Sequence, residues 1–484
     1  MSSANFPVLS LMVWLPIILA IFFIFSHKVY GCAIVCICSL LIFLLSFFLL
    51  LQQKGAADGW LFLEQKKLFF FNYYLGIDAV SAALVCLTSF IVMVCIVYAC
   101  FIIKVSVMNI TMLLLIESFA TGAFLSLDLL LFYMFFEVSL IPVFIVVGMG
   151  NDSDSSSASF KMFLYTIFGS LLALLAIVYL YFGHGISSVN ELQNGIATLT
   201  SNIRLCVWIA MFIAFAVKLP MLPLHMWLPN AHTNAPTIGS AALAAIMLKL
   251  GAYGMLRFIV PFFSDINKLV VNYINILSIS AVIYGALAAF AQKDVKKIIA
   301  YSSISHMGFV TVGLFSGNVN AIIGAIFQMI AHGLSSAALF FCVGILKQKI
   351  HGKLLDDYGG IARIAPKLAA FFLFFTFSAI GVPGTSGFVA EFLIVLGLGR
   401  ERIMIAILLA FGFVLGATYM LNLYKKVFTG NLSTSHAACG DIGKLEISLL
   451  LLLAISVLFL GVYPKFFLTL LEDYVEHKLL FIPN

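Results

Sequence analysis

The stretch VWIAMFIAFAVKLPMLPLHMWLP, residues 207–229, places one lysine and three prolines inside an otherwise apolar run. Lys218 ends the uninterrupted half, and Pro220, Pro223 and Pro229 follow it. A charged side chain at the centre of a bilayer costs roughly 2.5–3.5 kcal/mol on insertion scales, so this ammonium must face protein or water. Each proline removes a backbone donor and strains the preceding helical turn. The stretch therefore predicts a broken membrane helix with a functional charge at its break.

The rest of the chain is also dominated by membrane segments. Its 484 residues are 63% hydrophobic and 10% charged, whereas soluble proteins are near 25% charged. Long apolar runs, rather than short alternating segments, predict an all-α polytopic membrane protein and argue against a β-barrel. The net charge of +6 is scattered through short loops and forms no nucleic-acid-binding patch. Most of the nine cysteines lie in apolar runs, so we expect no disulfides.

At about 20 residues per span, the sequence predicts about fourteen transmembrane helices in one membrane domain, residues 1–484. The N-terminal apolar run lacks the basic region and cleavage site of a signal peptide, so we expect it to be the first span. Basic residues favour the connections on the side opposite the termini, which by the positive-inside rule places both termini outside. The predicted spans are 8–26, 29–51, 78–103, 107–125, 128–148, 160–182, 204–228, 236–260, 269–290, 297–316, 319–347, 367–398, 402–428 and 446–470.

The twelfth predicted span is interrupted in the same way as the seventh. Its sequence SAIGVPGTSGFVAEFLIV, residues 378–395, carries three glycines and a proline. Discontinuous helices in corresponding places of two halves are typical of transporters built from inverted repeats, with the site at the break. We therefore expect three initial helices (1–106), a first five-helix repeat (107–260), a second, inverted one (269–428), and a last helix (446–470).

Three further charges stand inside apolar runs. Glu137 lies mid-span and needs a proton or a cationic partner, for which Lys218 is the natural candidate. Such a pair would titrate as a unit and exchange protons when its separation changes; a static ion pair is the alternative. Lys249 has no carboxylate nearby in sequence, so we expect water and polar groups around it. Glu391 follows the second break and, under the repeat hypothesis, takes the place of Lys218.

Other polar groups are candidate proton relays. His306 and His332 have small or hydroxyl neighbours that leave room for water, and a histidine pKa near 6.5 suits relay chemistry. Packing histidines are one alternative and a haem-ligand pair is another. His225 could link the broken seventh helix to one membrane surface. Glu117, in the fourth span, could face Glu137 and connect to a neighbouring subunit.

The remaining charges near span ends predict structural roles. Asp78 and Asp128 are expected to cap helices or to make loop contacts. No phosphate loop, dinucleotide fingerprint or nucleophile elbow is present in the sequence, so we expect no redox chemistry from this chain alone. A further set of basic residues is interpreted as anchors at the membrane interface: Arg257, Lys293, Lys296 and Lys297.

Five long motifs resemble the antiporter-like membrane subunits of respiratory complex I, NADH–quinone oxidoreductase. The resemblance covers nearly the whole chain, and the acidic residue at position 391, where sister subunits carry lysine, points to one branch of that family. The motifs are LDLLLFYMFFEVSLIPVFIVVG (127–148), FAVKLPMLPLHMWLPNAHTNAPT (215–237), IMLKLGAYGMLRF (246–258), DVKKIIAYSSISHMGF (294–309) and GVPGTSGFVAEFL (381–393).

The resemblance implies a proton-translocating subunit that neighbours other antiporter-like subunits in the bilayer. It implies no cofactor in this chain, with NADH, FMN, iron–sulfur clusters and quinone bound by partner subunits. A bacterial cytoplasmic membrane is expected, with the mitochondrial inner membrane as the alternative. The implied roles are a modulating pair, a central site, an exit-side group and a polar axis between the last two: Glu137 with Lys218, Lys249, Glu391, and His306 with His332.

Two other functions compete with this interpretation. A subunit of a multisubunit Na⁺/H⁺ antiporter would share the lysines but have no redox partner, and gene neighbours would separate the two. A purely structural membrane scaffold would leave the buried charges unexplained.

Overall fold

A computed structural model describes residues 7–26, 28–54, 59–67, 71–103, 106–150, 152–350, 352–400, 402–431 and 440–478. These residues form a bundle of α-helices with one small hairpin. The first-half helices are α1 Val8–Phe25, α2 Lys28–Leu51, α3 Ala79–Val97, α4 Val107–Leu125, α5 Leu129–Val138, α6 Leu140–Gly148, α7 Ser155–Val178, α8 Val189–Ala197, α9 Ser201–Lys218, α10 Trp227–Asn234, α11 Thr237–Ala242 and α12 Leu248–Gly254. The second-half helices are α13 Ser264–Ala291, α14 Val295–Leu314, α15 Val319–Ile350, α16 Pro366–Ile380, α17 Ser386–Gly399, α18 Ile403–Phe428, α19 Lys444–Val462 and α20 Lys465–Lys478.

The predicted all-α membrane architecture is confirmed. Within the described ranges, twelve helical segments are long and apolar enough to cross a membrane, or thirteen if α16 is joined to the bent segment Leu355–Arg363 before it. The predicted count of about fourteen consists of these twelve segments together with two more predicted spans, α14 and the α16–α17 pair. Helix α14 is 20 residues long but carries two lysines, a histidine and several serines, and α16 and α17 are each too short to span alone.

Both predicted helix breaks are present. Helix α9 ends at Lys218, and the indole Nε1 of Trp227, at the start of α10, donates to the Val217 carbonyl at 2.9 Å. That bond satisfies one of the carbonyls that the break leaves without an intrahelical partner. Helix α16 ends at Ile380, where Gly381 adopts a φ of 80° that favours glycine, and α17 begins at Ser386.

The eighth span contains irregularities that the sequence did not predict. Between α11 and α12 the chain forms a π-helical turn, Leu243–Met247, and a second one, Met255–Ile259, follows α12. A π-helical turn inserts an extra residue into the helix and is frequent at functional sites. The two turns flank the segment that carries Lys249.

Two elements outside the spans were also not predicted. Strands β1 Leu61–Lys67 and β2 Asn72–Ile77 form an antiparallel hairpin, and Glu64 of β1 accepts hydrogen bonds from the Leu9 and Ser10 amides of α1. The predicted last helix, 446–470, is wrong at its end: α19 stops at Val462, before Pro464, and the amphipathic α20 follows.

Contacts between connections divide the molecule into two faces. On one side, which we call the hairpin face, β2 pairs with the connection after α4 through Leu75 and Ser126. On the same side, the start of α5 pairs with the connection after α7 through Asp128 and Ser188. The N-terminus of α1 belongs to it through the contacts of Glu64.

The opposite connections also contact one another, and we call their side the lysine face. Asp294 pairs with Leu354, and the Lys353 ammonium lies 3.1 Å from the Asp152 carboxylate. Burial acts to raise the pKa of Asp152, but the hydrogen bond from Lys353 and nearby lysine charges lower it below the usual aspartate range, so this pair is ionised at neutral pH. Counted on the predicted fourteen spans, each of these contacts joins two connections on the same side of the membrane.

Candidate functional site

Lys218 is buried at the C-terminus of α9, and its ammonium binds where α5 ends and α6 begins. Its Nζ donates to the Phe136 carbonyl at 2.7 Å and to Ser139 Oγ at 3.3 Å, and it lies 3.5 Å from the centre of the Phe136 ring. Ser139 separates α5 from α6, and Pro142 supplies no amide hydrogen to the preceding turn. The interrupted helix therefore provides the lysine with a carbonyl acceptor.

The predicted direct contact between Glu137 and Lys218 is not formed. The structure places no ion pair between them within the described ranges, although Lys218 is close enough to act on the Glu137 carboxylate electrostatically. Glu137 is half-buried and its carboxylate lies beside Ser170 of α7. The Lys218 ammonium lies over the Phe136 ring, and because successive helical side chains project about 100° apart, it is not directed at the Glu137 side chain.

Lys249 is fully buried at the start of α12. Its Nζ donates to the Ala244 carbonyl at 2.6 Å and lies 2.8 Å from His332 Nδ1 on α15. The carbonyl belongs to the π-helical turn Leu243–Met247, so the irregular helix again supplies the acceptor. As the sequence predicted, the partners of this lysine are polar groups rather than a carboxylate.

A line of polar side chains continues from His332 to Glu391. The His332 and His306 ring centres are 5.5 Å apart, and His306 Nδ1 lies 2.8 Å from Glu391 Oε1. Gln328 donates through Nε2 to the same oxygen at 2.9 Å and lies 3.3 Å from His306 Nδ1. All four side chains are buried. The predicted polar axis between Lys249 and Glu391 therefore exists as a nearly continuous chain of contacts.

Close helix packing brings this line together. Helices α15 and α17 touch at Gly324, where an added Cβ would lie 2.8 Å from the Ala390 carbonyl. Gln328, one turn further along α15, thereby reaches Glu391, which follows Ala390. The sequence held a signal for Gln328, since it precedes His332 by four residues and so shares its helix face.

Two candidate relays are not connected to the line. His225 is buried and packs edge-on against Tyr284 of α13, 5.2 Å between ring centres, instead of bridging Lys218 to a surface. Glu117 is fully buried, and neither of its oxygens has a hydrogen-bond partner within the described ranges. Glu117 therefore makes no hydrogen bond to Glu137 in the part of the chain that the structure describes, and the relay roles of His225 and Glu117 remain predictions.

Lys296 is buried rather than placed at the membrane interface, so its interpretation as an anchor is wrong. Its Nζ donates to the Ala235 carbonyl at 2.7 Å and to Ser240 Oγ at 3.2 Å. It lines a cavity of about 400 Å³ near the lysine face, together with Asp152 and Lys347. Tertiary packing of α14 against α10 and α11 encloses a side chain that the sequence places at a helix end.

Arg257 is also not an interface anchor, because its buried guanidinium pairs with Asp78 at 2.6 Å. The predicted caps are both confirmed. Asp78 accepts from the Ser81 amide at the start of α3, and Asp128 accepts from the Leu131 amide at the start of α5. Asp78 therefore has two functions, capping a helix and neutralising a distant arginine.

The sequence and fold of this chain are similar to those of known membrane proteins. Residues 126–418 match the family described as NADH:quinone oxidoreductase/Mrp antiporter, transmembrane. NADH-quinone oxidoreductase subunit M of Rickettsia felis is 39% identical over 98% of this chain and 99% of its own length. NADH-ubiquinone oxidoreductase chain 4 of Marchantia polymorpha is 41% identical over 91% of this chain and 90% of its own. A chain of respiratory complex I from Thermus thermophilus with bound NADH superposes with a TM-score of 0.89 at 28% identity, covering 98% of this chain and 99% of that one.

Proposed function

Because this chain belongs to the NADH:quinone oxidoreductase/Mrp antiporter family of transmembrane subunits, we propose that it is a proton-translocating membrane-arm subunit of an NADH:quinone oxidoreductase, corresponding to subunit M of its relatives. The observation that carries this proposal is the buried line Lys249–His332–His306–Glu391, with Gln328 beside it. Buried ionisable groups inside a membrane bundle are costly and usually mark ion pathways.

The line has the chemistry that proton transfer needs. Lys249 can give a proton to His332 Nδ1, and an imidazole can accept at one nitrogen and donate from the other. His306 stands next in the line and already contacts Glu391. Moving one charge across 100 mV costs about 2.3 kcal/mol, so modest changes in proton affinity at several groups would drive transfer.

Lys218 and Glu137 form the control point in this proposal. Lys218 donates to the Phe136 carbonyl, and Glu137 is half-buried beside Ser170 of α7. A signal from a neighbouring subunit that moves Glu137 towards Lys218 would change which of the two holds the proton. The two states of the pair would then load or unload Lys249.

The relatives support a proposal about the wider setting. We infer that NADH, FMN, iron–sulfur clusters and quinone are bound by partner subunits, and that the membrane is a bacterial cytoplasmic membrane, since a similar chain occurs in the bacterium Rickettsia felis. We also propose that 107–260 and 269–428 are inverted repeats, since each contains one of the two helix breaks.

The test is NADH-driven quinone reduction and proton uptake in membrane vesicles carrying Lys249→Ala or Glu391→Gln. Both rates should fall sharply while the complex still assembles, because each change removes an ionisable group from the line. Lys268→Ala and Glu472→Gln, at exposed positions, are the matched controls and should leave both rates unchanged.

Two results would contradict the proposal. Normal proton uptake by an assembled Lys249→Ala complex would remove that residue from the pathway. Absence of NADH oxidation in membranes with the unaltered chain and its natural neighbours, together with Na⁺-dependent proton exchange, would favour the Na⁺/H⁺ antiporter alternative that the family description includes.

A further inference from the structure

A second buried charge cluster lies at the hairpin face, where the proton line makes no use of it. The Arg257 guanidinium contacts Asp78 Oδ2 at 2.6 Å through Nη2, Tyr474 at 2.9 Å through Nη1 and Tyr253 at 3.0 Å through Nε. The Trp60 ring centre lies 4.6 Å from its central carbon. Each of the three guanidinium nitrogens therefore has a partner, and an aromatic ring lies over the central carbon. These partners come from the start of α3, from α12 and α20, and from the segment before the hairpin.

This cluster lies on the same helical stretch as the central lysine. Tyr253 follows Lys249 by four residues and shares its helix face, and Arg257, in the second π-helical turn, donates to the Tyr253 hydroxyl. The three side chains therefore follow one another towards the hairpin face. All three are buried. The Tyr253 hydroxyl donates to the Phe124 carbonyl at 2.7 Å and accepts from Arg257, which leaves its proton committed to a backbone oxygen.

The chemistry of the cluster opposes proton passage. A guanidinium has donors but no acceptor and keeps its proton at physiological pH, so it cannot relay one. Fixed positive groups are one way in which membrane pores exclude protons and cations. The Asp78 oxygens are engaged as well, one by Arg257 and the other by the Ser81 amide and hydroxyl.

We propose that the Arg257–Asp78 pair is a seal: it blocks proton movement from Lys249, past Tyr253, to the hairpin face. A proton on Lys249 then leaves sideways through His332 towards Glu391 and does not slip directly to the hairpin face. This inference rests on the proposed function, because a seal matters only if Lys249 carries protons.

The test uses the charge-free double variant Asp78→Asn/Arg257→Gln in the assembled complex. Removing both charges avoids leaving one buried and unpaired, which is the most destabilising choice. In inside-out vesicles we expect NADH oxidation to continue, protons taken up per NADH to fall, and a preformed pH gradient to decay faster than in the unaltered complex. Adding Lys249→Ala to the double variant should restore the slow decay, because the leak passes through that lysine.

The matched control is Arg204→Gln/Asp265→Asn. These residues form a 3.0 Å ion pair between the starts of α9 and α13, also at the hairpin face but partly exposed. It should show normal coupling and a slow decay. Removing an ion pair from this face is therefore not expected to cause a leak by itself.

Three results would overturn the seal. These are an unchanged proton ratio and decay in the double variant, a fast decay that persists when Lys249 is also replaced, and failure of the double variant to assemble, which would assign the pair to folding. Normal pumping by Lys249→Ala alone would instead overturn the proposed function.

Discussion

Three buried lysines in the described part of the chain share one kind of partner, a backbone carbonyl. Lys218, Lys249 and Lys296 each donate to a backbone carbonyl, at 2.7, 2.6 and 2.7 Å, and none contacts a carboxylate within ion-pair distance. A bond between two opposite charges is stronger than one to a neutral carbonyl. Holding the ammonium by a dipole therefore leaves its proton exchangeable, which suits a transfer site better than a permanent salt bridge would.

At the same scale, Gln328 is predicted to be a positioning residue for Glu391. Gln328→Leu removes the donor to Glu391 Oε1 and the neighbour of His306. A hydrogen bond to a charged group contributes about 1.5–3 kcal/mol, so we expect the rate of proton uptake to fall by roughly tenfold or more at constant assembly. Proton uptake in vesicles measures this.

Gln348→Leu, at an exposed position on the same helix, is the control for that change. It removes the same amide without touching the line. Equal proton uptake in the Gln328 and Gln348 variants would show that the Glu391 contact is dispensable.

Among the elements, irregular helices coincide with the functional charges. The α5–α6 interruption supplies the acceptor for Lys218, the first π-helical turn supplies that for Lys249, and the α16–α17 break precedes Glu391 by less than two turns. Backbone that leaves the regular hydrogen-bond pattern is tolerated at membrane depth only where protein or water satisfies it. At the first two sites, the buried lysine ammonium itself satisfies one of these carbonyls.

Contact between α9 and α12 sets the relative position of the two lysines. At Gly251, an added Cβ would lie 2.8 Å from both the Leu219 amide nitrogen and the Phe215 carbonyl, which are backbone atoms that cannot rotate away. Gly251→Ala should therefore separate the helices, destabilise the subunit by about 1–3 kcal/mol and lower proton uptake. Thermal unfolding of the purified complex, with proton uptake in parallel, measures both effects.

Gly416→Ala is the matched control, because an added Cβ there meets nothing within 4 Å. Alanine favours a helix over glycine by up to about 1 kcal/mol, so this variant should be neutral or slightly stabilised. An unaltered unfolding temperature and activity in Gly251→Ala would mean that the α9–α12 contact does not position the lysines.

For the molecule as a whole, the sequence predicted several of the buried charged residues, but it did not predict which groups they contact. Lys218, Lys249 and Glu391 stood out because a charge in an apolar run is costly wherever its partner lies. The partner depends on packing between distant segments, so Arg257 with Asp78, and Lys218 with the Phe136 carbonyl, could not be read from local sequence. The hairpin and α20 were missed because both lie outside the apolar runs that indicate spans.

The two-face arrangement makes a prediction about topology. Fourteen crossings place the hairpin and α20 on one side and the connection between α15 and α16 on the other, and the positive-inside rule makes the hairpin face the outer one. Cysteines introduced as Lys66→Cys and Glu472→Cys, both exposed, should react with a membrane-impermeant maleimide from outside intact cells. Asp356→Cys, also exposed, should react only in inside-out vesicles.

The unaltered chain sets the background for this labelling, since its natural cysteines include the exposed Cys206. Labelling of positions 66 and 472 from opposite sides would require an odd number of crossings and would remove one of the fourteen spans. The first span to doubt would be α14, whose lysines make it the least apolar candidate. Labelling of all three positions from the expected sides would place Lys296 and its cavity on the cytoplasmic side, and the Arg257–Asp78 pair on the side towards which protons are driven. A seal against backflow is needed on that second side.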